Sequence, residues 1–170
     1  FQQELHSYTI TNAIEDKNVL RFHIDYFKPD GVVATGSDLH KLAVANAIIN
    51  KHDKATHYRR FNSVLATASI NDAIQYYELF KDLQAEEIKK NEDYKPLNIA
   101  CVFSPPAEGD KDIQQIQEDL PQEKADNQIE PNKKKEALTQ IIEDYNYQYG
   151  TNHRINEFDG YYQDVQQRIK

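Results

Sequence analysis

Phe61-Asn62-Ser63-Val64-Leu65-Ala66-Thr67-Ala68-Ser69-Ile70-Asn71-Asp72 is the stretch on which the fold turns. Residues 61–68 are mostly apolar and do not alternate, the pattern of a strand covered on both faces in a parallel sheet. Ser69-Ile70-Asn71-Asp72 then has the Ser-x-x-Asp form of a capping box and opens a helix. Ala73, Ile74, Tyr77, Phe80 and Gln84 recur at helical spacing, and Tyr76, Leu79 and Leu83 widen the apolar face until the charged stretch 86–93.

Upstream, Leu20, Phe22, Ile24 and Tyr26 alternate with polar neighbours, which predicts a half-buried strand over 19–26, closed by Pro29, Asp30 and Gly31. Leu39, Leu42, Ala43, Ala47 and Ile48 predict a helix over 38–52 with Ser37 or Asp38 as its N-cap. Downstream, residues 97–103 read as a second buried-type strand, stopped by Pro105 and Pro106. Ile113, Ile116 and Leu120 predict a short helix ended by Pro121, and the polar stretch 122–135 reads as a mobile surface loop. Asn132 can cap a helix carrying Ala137, Leu138, Ile141, Ile142 and Tyr145, with Gly150 ending it. Asn156 can cap a last helix carrying Phe158, Tyr161, Tyr162, Val165 and Ile169. Strand–helix–strand order implies an α/β fold: a partial parallel sheet with right-handed crossovers, flanked by helices.

The chain has 170 residues, enough for one domain or slightly more. A net charge of −8 argues against a dedicated basic nucleic-acid module. No apolar run is long enough to span a membrane. Cys101 is the lone cysteine, lies in an apolar run, and fits a reducing, cytoplasmic setting without an internal disulfide. The chain opens on Phe1 and contains no methionine, so it is expected to be a piece of something longer.

No P-loop, Gly-x-Gly-x-x-Gly, His-Glu-x-x-His or Cys-x-x-Cys occurs. The six histidines show no ligand spacing, so no metal site is expected. Pro29-Asp30 and Glu87-Ile88-Lys89 match the letters of a metal-dependent nuclease, but the gap is wide and Glu87 falls on a helix tail, so coincidence explains them better. Arg59-Arg60 stands before the 61–68 strand and could grip a phosphate or simply solvate a strand entrance. Lys133-Lys134-Lys135 reads as a solvated helix start. Ser69 follows a strand and opens a helix, where free amides and the helix dipole favour anions, although by the residues alone an ordinary N-cap is the better explanation.

The string Leu5-His6-Ser7-Tyr8-Thr9-Ile10-Thr11-Asn12-Ala13-Ile14-Glu15-Asp16-Lys17-Asn18-Val19-Leu20, continuing to Asp25-Tyr26, resembles the junction between the two motor domains in the R subunit of type I restriction–modification enzymes. Residues 61–69 resemble that family's helicase motif IV strand, Asp72 to Phe80 the helix after it, and Leu97 to Ser104 the next strand. Asn156 to Lys170 looks like the helix before motif V. The resemblance covers nearly the whole chain in order and is weakest over 28–58 and 105–135.

The resemblance implies that residues 1–18 are an inter-domain junction and 19–170 the first part of the second RecA-like domain of a superfamily-2 translocase. It implies a parent protein that hydrolyses ATP with Mg²⁺, pulls double-stranded DNA past methylase and specificity subunits, and cuts away from the recognition site. The catalytic and metal-holding motifs of that family have no counterpart in this chain, so it assigns no catalytic or metal residue here. The isolated chain is expected to bind no cofactor and to be inactive. The motif IV turn transfers as a candidate phosphate contact: Thr67, Ser69, Ile70 and Asn71, with Arg59 and Arg60 as further candidates. Two alternatives stand beside it, a non-catalytic α/β protein-interaction module and a superfamily-2 DNA-remodelling ATPase without a nuclease.

Overall fold

The structure, a computed structural model, describes residues 7–19, 24, 26–31, 34–107, 113, 117 and 120–169. It divides into two compact units, Phe1–Gly31 and Val32–Lys170. In the first, α1 (Ile10–Glu15) is opened by a full capping box. Thr9 Oγ1 accepts from the Asn12 amide at 3.4 Å, and Asn12 Oδ1 accepts from the Thr9 amide at 3.0 Å. The strand expected over 19–26 lies largely outside the described residues.

The second unit is built on helices: α2 (Asp38–Ala55), α3 (Ile70–Lys90), α4 (Pro121–Asn127), α5 (Pro131–Tyr149) and α6 (Phe158–Ile169), the last entered through a 3₁₀ turn at Ile155–Glu157. The apolar stripes of α3, α5 and α6 meet in one core of Ile70, Tyr77, Leu138, Ile141, Ile142, Tyr145, Phe158, Tyr161 and Val165, with Phe103 contributed by the chain between helices. Ser37 caps α2, accepting from the His40 amide at 3.3 Å. Ser69 caps α3, accepting from the Asp72 amide at 3.0 Å. The box expected there is used differently, because the Asp72 carboxylate pairs with the buried Lys41 ammonium and so ties α2 to α3. Lys41 also donates to Gln75 Oε1.

Three expectations are corrected. Residues 122–135 are not a loop. Pro121 sits in the first turn of α4, where its missing N–H costs nothing, and Pro131 does the same for α5. The α5 N-cap is therefore Glu130, in the left-handed conformation with φ 50°, and not Asn132. Asn156 likewise falls inside the 3₁₀ turn and caps nothing. Gly150 ends α5 as expected, with φ 66°.

The third correction concerns the sheet. Residues 61–68 and 97–103 run between helices as non-helical segments, but neither forms a strand ladder, and no strand is found among the described residues. No backbone hydrogen bond joins the two segments. Both nevertheless begin at one place and end at another. Arg59, at the start of the first, donates to the Lys95 and Pro96 carbonyls at the start of the second, at 2.8 and 3.1 Å. At the far end, α4 reaches the Ala68 carbonyl through Gln122 at 3.1 Å and the Ser104 carbonyl through Asn127 at 2.8 Å. The segments therefore run in the same direction.

Side chains supply what a neighbouring strand would have supplied. The buried Gln84 donates to the Leu97 carbonyl at 3.3 Å and accepts from the Leu97 amide, so one side-chain amide plays the part of a facing peptide group. The fully buried Tyr161 donates to the Cys101 carbonyl at 2.7 Å, and Glu123 accepts from the Ser104 amide at 2.8 Å. Apart from Gln122 at the Ala68 carbonyl, the 61–68 segment has no such cover: Phe61 is 61% exposed, Val64 77% and Leu65 44%.

Gln84→Leu keeps the volume on α3 but strands both polar groups of Leu97. Each orphan held away from water costs about 1–3 kcal/mol, and the half-buried Leu97 sits toward the lower end. The variant is expected to lose roughly 2–4 kcal/mol in a denaturant melt, and Gln84→Glu, which keeps the acceptor but sets a buried carboxylate against the Leu97 carbonyl, should lose at least as much at neutral pH.

Candidate nucleic-acid interface

The turn after the first extended segment is closed on itself. Thr67 Oγ1 donates to the Ser69 carbonyl at 3.1 Å, and Ser69 Oγ is held by the Asp72 amide. Thr67 and Ser69 are half-buried, Ile70 is buried and Asn71 is exposed. The Ile70 amide, the first of α3, donates to Asp126 Oδ2 at 2.9 Å. A carboxylate from α4 thus occupies an amide that, at a helix N-terminus, attracts anions. Nothing in the sequence pattern points to Asp126, because α4 has no apolar stripe. It is attached through Gln122, Glu123, Asp126 and Asn127.

Arg59 and Arg60 stand at the opposite end of the extended segment. The six residues 61–66 separate them from the turn at 67–71, at most roughly 20 Å of chain. The structure therefore does not gather the six candidate residues into one site. Nor are the two arginines alike. The Arg59 guanidinium is engaged by Asp53 at 2.7 and 3.4 Å as well as by the two carbonyls of Lys95 and Pro96. The charge and hydrogen bond of Arg59 hold the Asp53 carboxyl below its usual range. Arg60 is exposed.

The backbone between α2 and these arginines is unusual. His57, Tyr58 and Arg59 have φ of 51°, 58° and 64°, a run of left-handed residues none of which is glycine. Each such residue costs roughly 1–2 kcal/mol. Thr56 holds the run in place. Its hydroxyl accepts from the Arg59 amide at 3.1 Å, and its carbonyl accepts from the Arg60 and Phe61 amides at 3.0 and 3.2 Å. Tyr58 is 84% exposed, and the His57 ring meets Phe61 edge-on at 5.7 Å.

The remaining candidates serve the fold. Lys133 pairs with Glu130, and the buried Lys134 donates to the Ile129 carbonyl. Glu87 pairs with Lys90 at 3.0 Å on the tail of α3. Desolvation pushes the Cys101 thiol up to about 12, which leaves it an unreactive thiol at neutral pH. Among the described residues, no group of three or more His, Cys, Asp and Glu side chains could hold a metal ion. Among them, too, no helix is long and apolar enough to cross a membrane.

Residues 59–170 match the family model for domain 3 of the type I restriction enzyme subunit R. Over 188 aligned residues, covering 100% of this chain, it is 31% identical to the SauCOLORF180P endonuclease subunit of a type I restriction enzyme from Staphylococcus aureus strain COL. It is 28% identical, over 89% of its length, to the SsaAORF53P endonuclease subunit of Staphylococcus saprophyticus. The chain spans 18% and 16% of the lengths of these two relatives.

One polar cluster sets an acid limit on the unit. Asp164 on α6 accepts from the Tyr145 hydroxyl at 2.9 Å and lies 3.1 Å from His153 Nε2 and 3.2 Å from Arg168 Nε. Burial works against its charge, but the His153 and Tyr145 hydrogen bonds and the Arg168 charge win and hold the carboxyl below its usual range. Such a carboxyl adds stability that is present above its unfolded value, about 3.9, and is lost as pH falls through the lower folded value. The urea midpoint is expected to drop on acidification below about pH 4. Asp164→Asn should lower it at pH 7 and flatten the acid limb.

Proposed function

The chain belongs to the family of type I restriction enzyme R subunits, and on that premise we propose that it is part of the motor of an ATP-driven DNA translocase and endonuclease. In the whole subunit, ATP hydrolysis with Mg²⁺ would pull double-stranded DNA past the methylase and specificity subunits. Cleavage would follow away from the recognition site. ATP and Mg²⁺ would be held elsewhere in the subunit, since the residues of this chain do not fit them: it has no P-loop to cradle phosphates. The complex would work in the cytoplasm, where the lone Cys101 stays reduced.

One observation supports the motor most directly: two extended segments run in the same direction, and α3 leaves the end of the first. That is the connectivity of a strand–helix–strand unit. The exposed Phe61, Val64 and Leu65 are what a strand shows before its neighbours are added. Those neighbours would come from other parts of the subunit and complete the parallel sheet of its second RecA-like domain. In such a sheet the turn at 67–71 lies at the carboxyl end, where α/β proteins take their ligands. Thr67, Ser69, Ile70 and Asn71 would then meet a DNA phosphate once Asp126 gives way. The same exposed apolar run also fits a protein-interaction module.

The test uses the full-length subunit with its partner subunits. Motor function requires DNA-stimulated ATP turnover and triplex displacement, and their absence would leave the interaction module as the explanation. Within the motor, Ser69→Gly should fold nearly as well, since glycine as a cap costs only a few tenths of a kcal/mol. It should displace the triplex more slowly at moderate salt and nearly normally at low salt, where the remaining phosphate contacts are stronger. Unchanged displacement at every salt concentration would reduce Ser69 to a helix cap.

A further inference from the structure

We propose that the left-handed turn at the end of α2 is a second contact for a DNA strand, with Tyr58 packing on a sugar or base, Arg60 and the exposed Lys51 and Lys54 of the last turns of α2 meeting phosphates, and Arg59 positioning the turn. The proposal rests on the reading that the parent subunit acts on DNA.

Charge is the first ground. Residues 51–60 carry Lys51, Lys54, Arg59 and Arg60 against the single acid Asp53, in a chain of net charge −8. Asp53 is taken by Arg59. Lys51, Lys54 and Arg60 are exposed and make no ion pair among the described residues. The triple-lysine run shows the contrast, since Lys133 pairs with Glu130 and Lys134 is buried against a backbone carbonyl.

Conformation is the second ground. The left-handed run His57–Arg59 is pinned by Thr56, Asp53 and the Lys95 and Pro96 carbonyls. Strain of this kind persists where the surroundings over-determine it, and it gathers at ligand clamps. Here burial does not repay it, because Tyr58 gains none: 84% of the residue faces solvent. The pinned backbone instead sets an exposed aromatic ring two residues from an exposed arginine. Aromatic faces interleaved with cations are what a nucleic-acid strand engages, the ring by stacking and the cations by neutralising phosphates. Arg59 is tied to Asp53 and to the Lys95 and Pro96 carbonyls, so its part is to hold this geometry.

Tyr58→Gly separates contact from stability. Glycine accepts the left-handed conformation freely, so the variant should melt at or above the parent's midpoint. Binding of the full-length subunit to fluorescent duplex and single-stranded DNA would be titrated from 50 to 200 mM salt. Tyr58→Gly should weaken binding about tenfold. A loss on single strands alone assigns the ring to bases, and a loss on both forms assigns it to the sugar–phosphate backbone; either supports the contact. Arg60→Gln should weaken binding and shrink the fall in affinity across that salt range by about threefold, the share of one phosphate. Arg59→Lys, which cannot span Asp53 and two carbonyls, should lose both stability and affinity, and Tyr58→Gly in the same chain should restore stability but not affinity. Tyr58→Gly and Arg60→Gln that bind like the parent at every salt concentration would overturn the contact. A parent subunit that binds neither form of DNA would instead overturn the motor reading itself.

Discussion

Extended backbone carries a donor and an acceptor at every residue, and when it runs through a protein without a strand beside it, something else must satisfy them. In residues 94–105 that burden falls on side chains. Arg59 takes the carbonyls of Lys95 and Pro96, Gln84 takes both polar groups of Leu97, Tyr161 takes the Cys101 carbonyl, and Glu123 and Asn127 take the amide and carbonyl of Ser104. These donors and acceptors come from α3, α4, α6 and the turn after α2. The packing of the helices therefore cannot be separated from the course of this segment. Tyr161 belongs to both, as a core residue whose hydroxyl also anchors the chain.

The same economy shapes the two ends of the extended pair. At one end Asp126 neutralises the first amide of α3, and the turn at 67–71 is satisfied internally. At the other, Arg59 is tied to Asp53, Lys95 and Pro96, and Arg60 makes no ion pair among the described residues. An adjacent pair of like residues thus divides into one that builds and one that faces outward. The division follows from the left-handed turn, which directs successive side chains differently from a helix or a strand.

Electrostatics reinforce this asymmetry. The chain is acidic as a whole, and three of its cations brace helices: the buried Lys41 on Asp72, and the more exposed Lys81 on Asp144 and Arg168 on Asp164. These pairs join α2 to α3, α3 to α5, and successive turns of α6. The cations at the end of α2 are set apart by their density, with Lys51, Lys54 and Arg60 exposed within ten residues that hold one acid.

Period and composition were enough to place the long helices and the core. The stripes of α3, α5 and α6 are apolar at spacings of three and four, and Tyr77, Leu138, Ile141, Ile142, Tyr145, Phe158, Tyr161 and Val165 are buried where that spacing puts them. Ser37, Ser69 and Gly150 end their helices by local chemistry, and that too is written in the residues themselves. The motif-bearing strings 5–20 and 61–80 were sufficient to point to the family. Tertiary structure alone decided the rest. α4 has no stripe to read, because four polar side chains attach it to backbone groups distant in sequence. The extended segments look like strands in sequence because they are apolar and β-branched, but a ladder needs a neighbour, and pairing is a property of two chains' positions that no single run of residues contains. The separate fates of Arg59 and Arg60 depend on three consecutive positive φ angles. Those angles are imposed by hydrogen bonds from Thr56, Asp53 and the distant Lys95–Pro96 carbonyls, and a local propensity that favours glycine at such positions would never have placed His57, Tyr58 and Arg59 there.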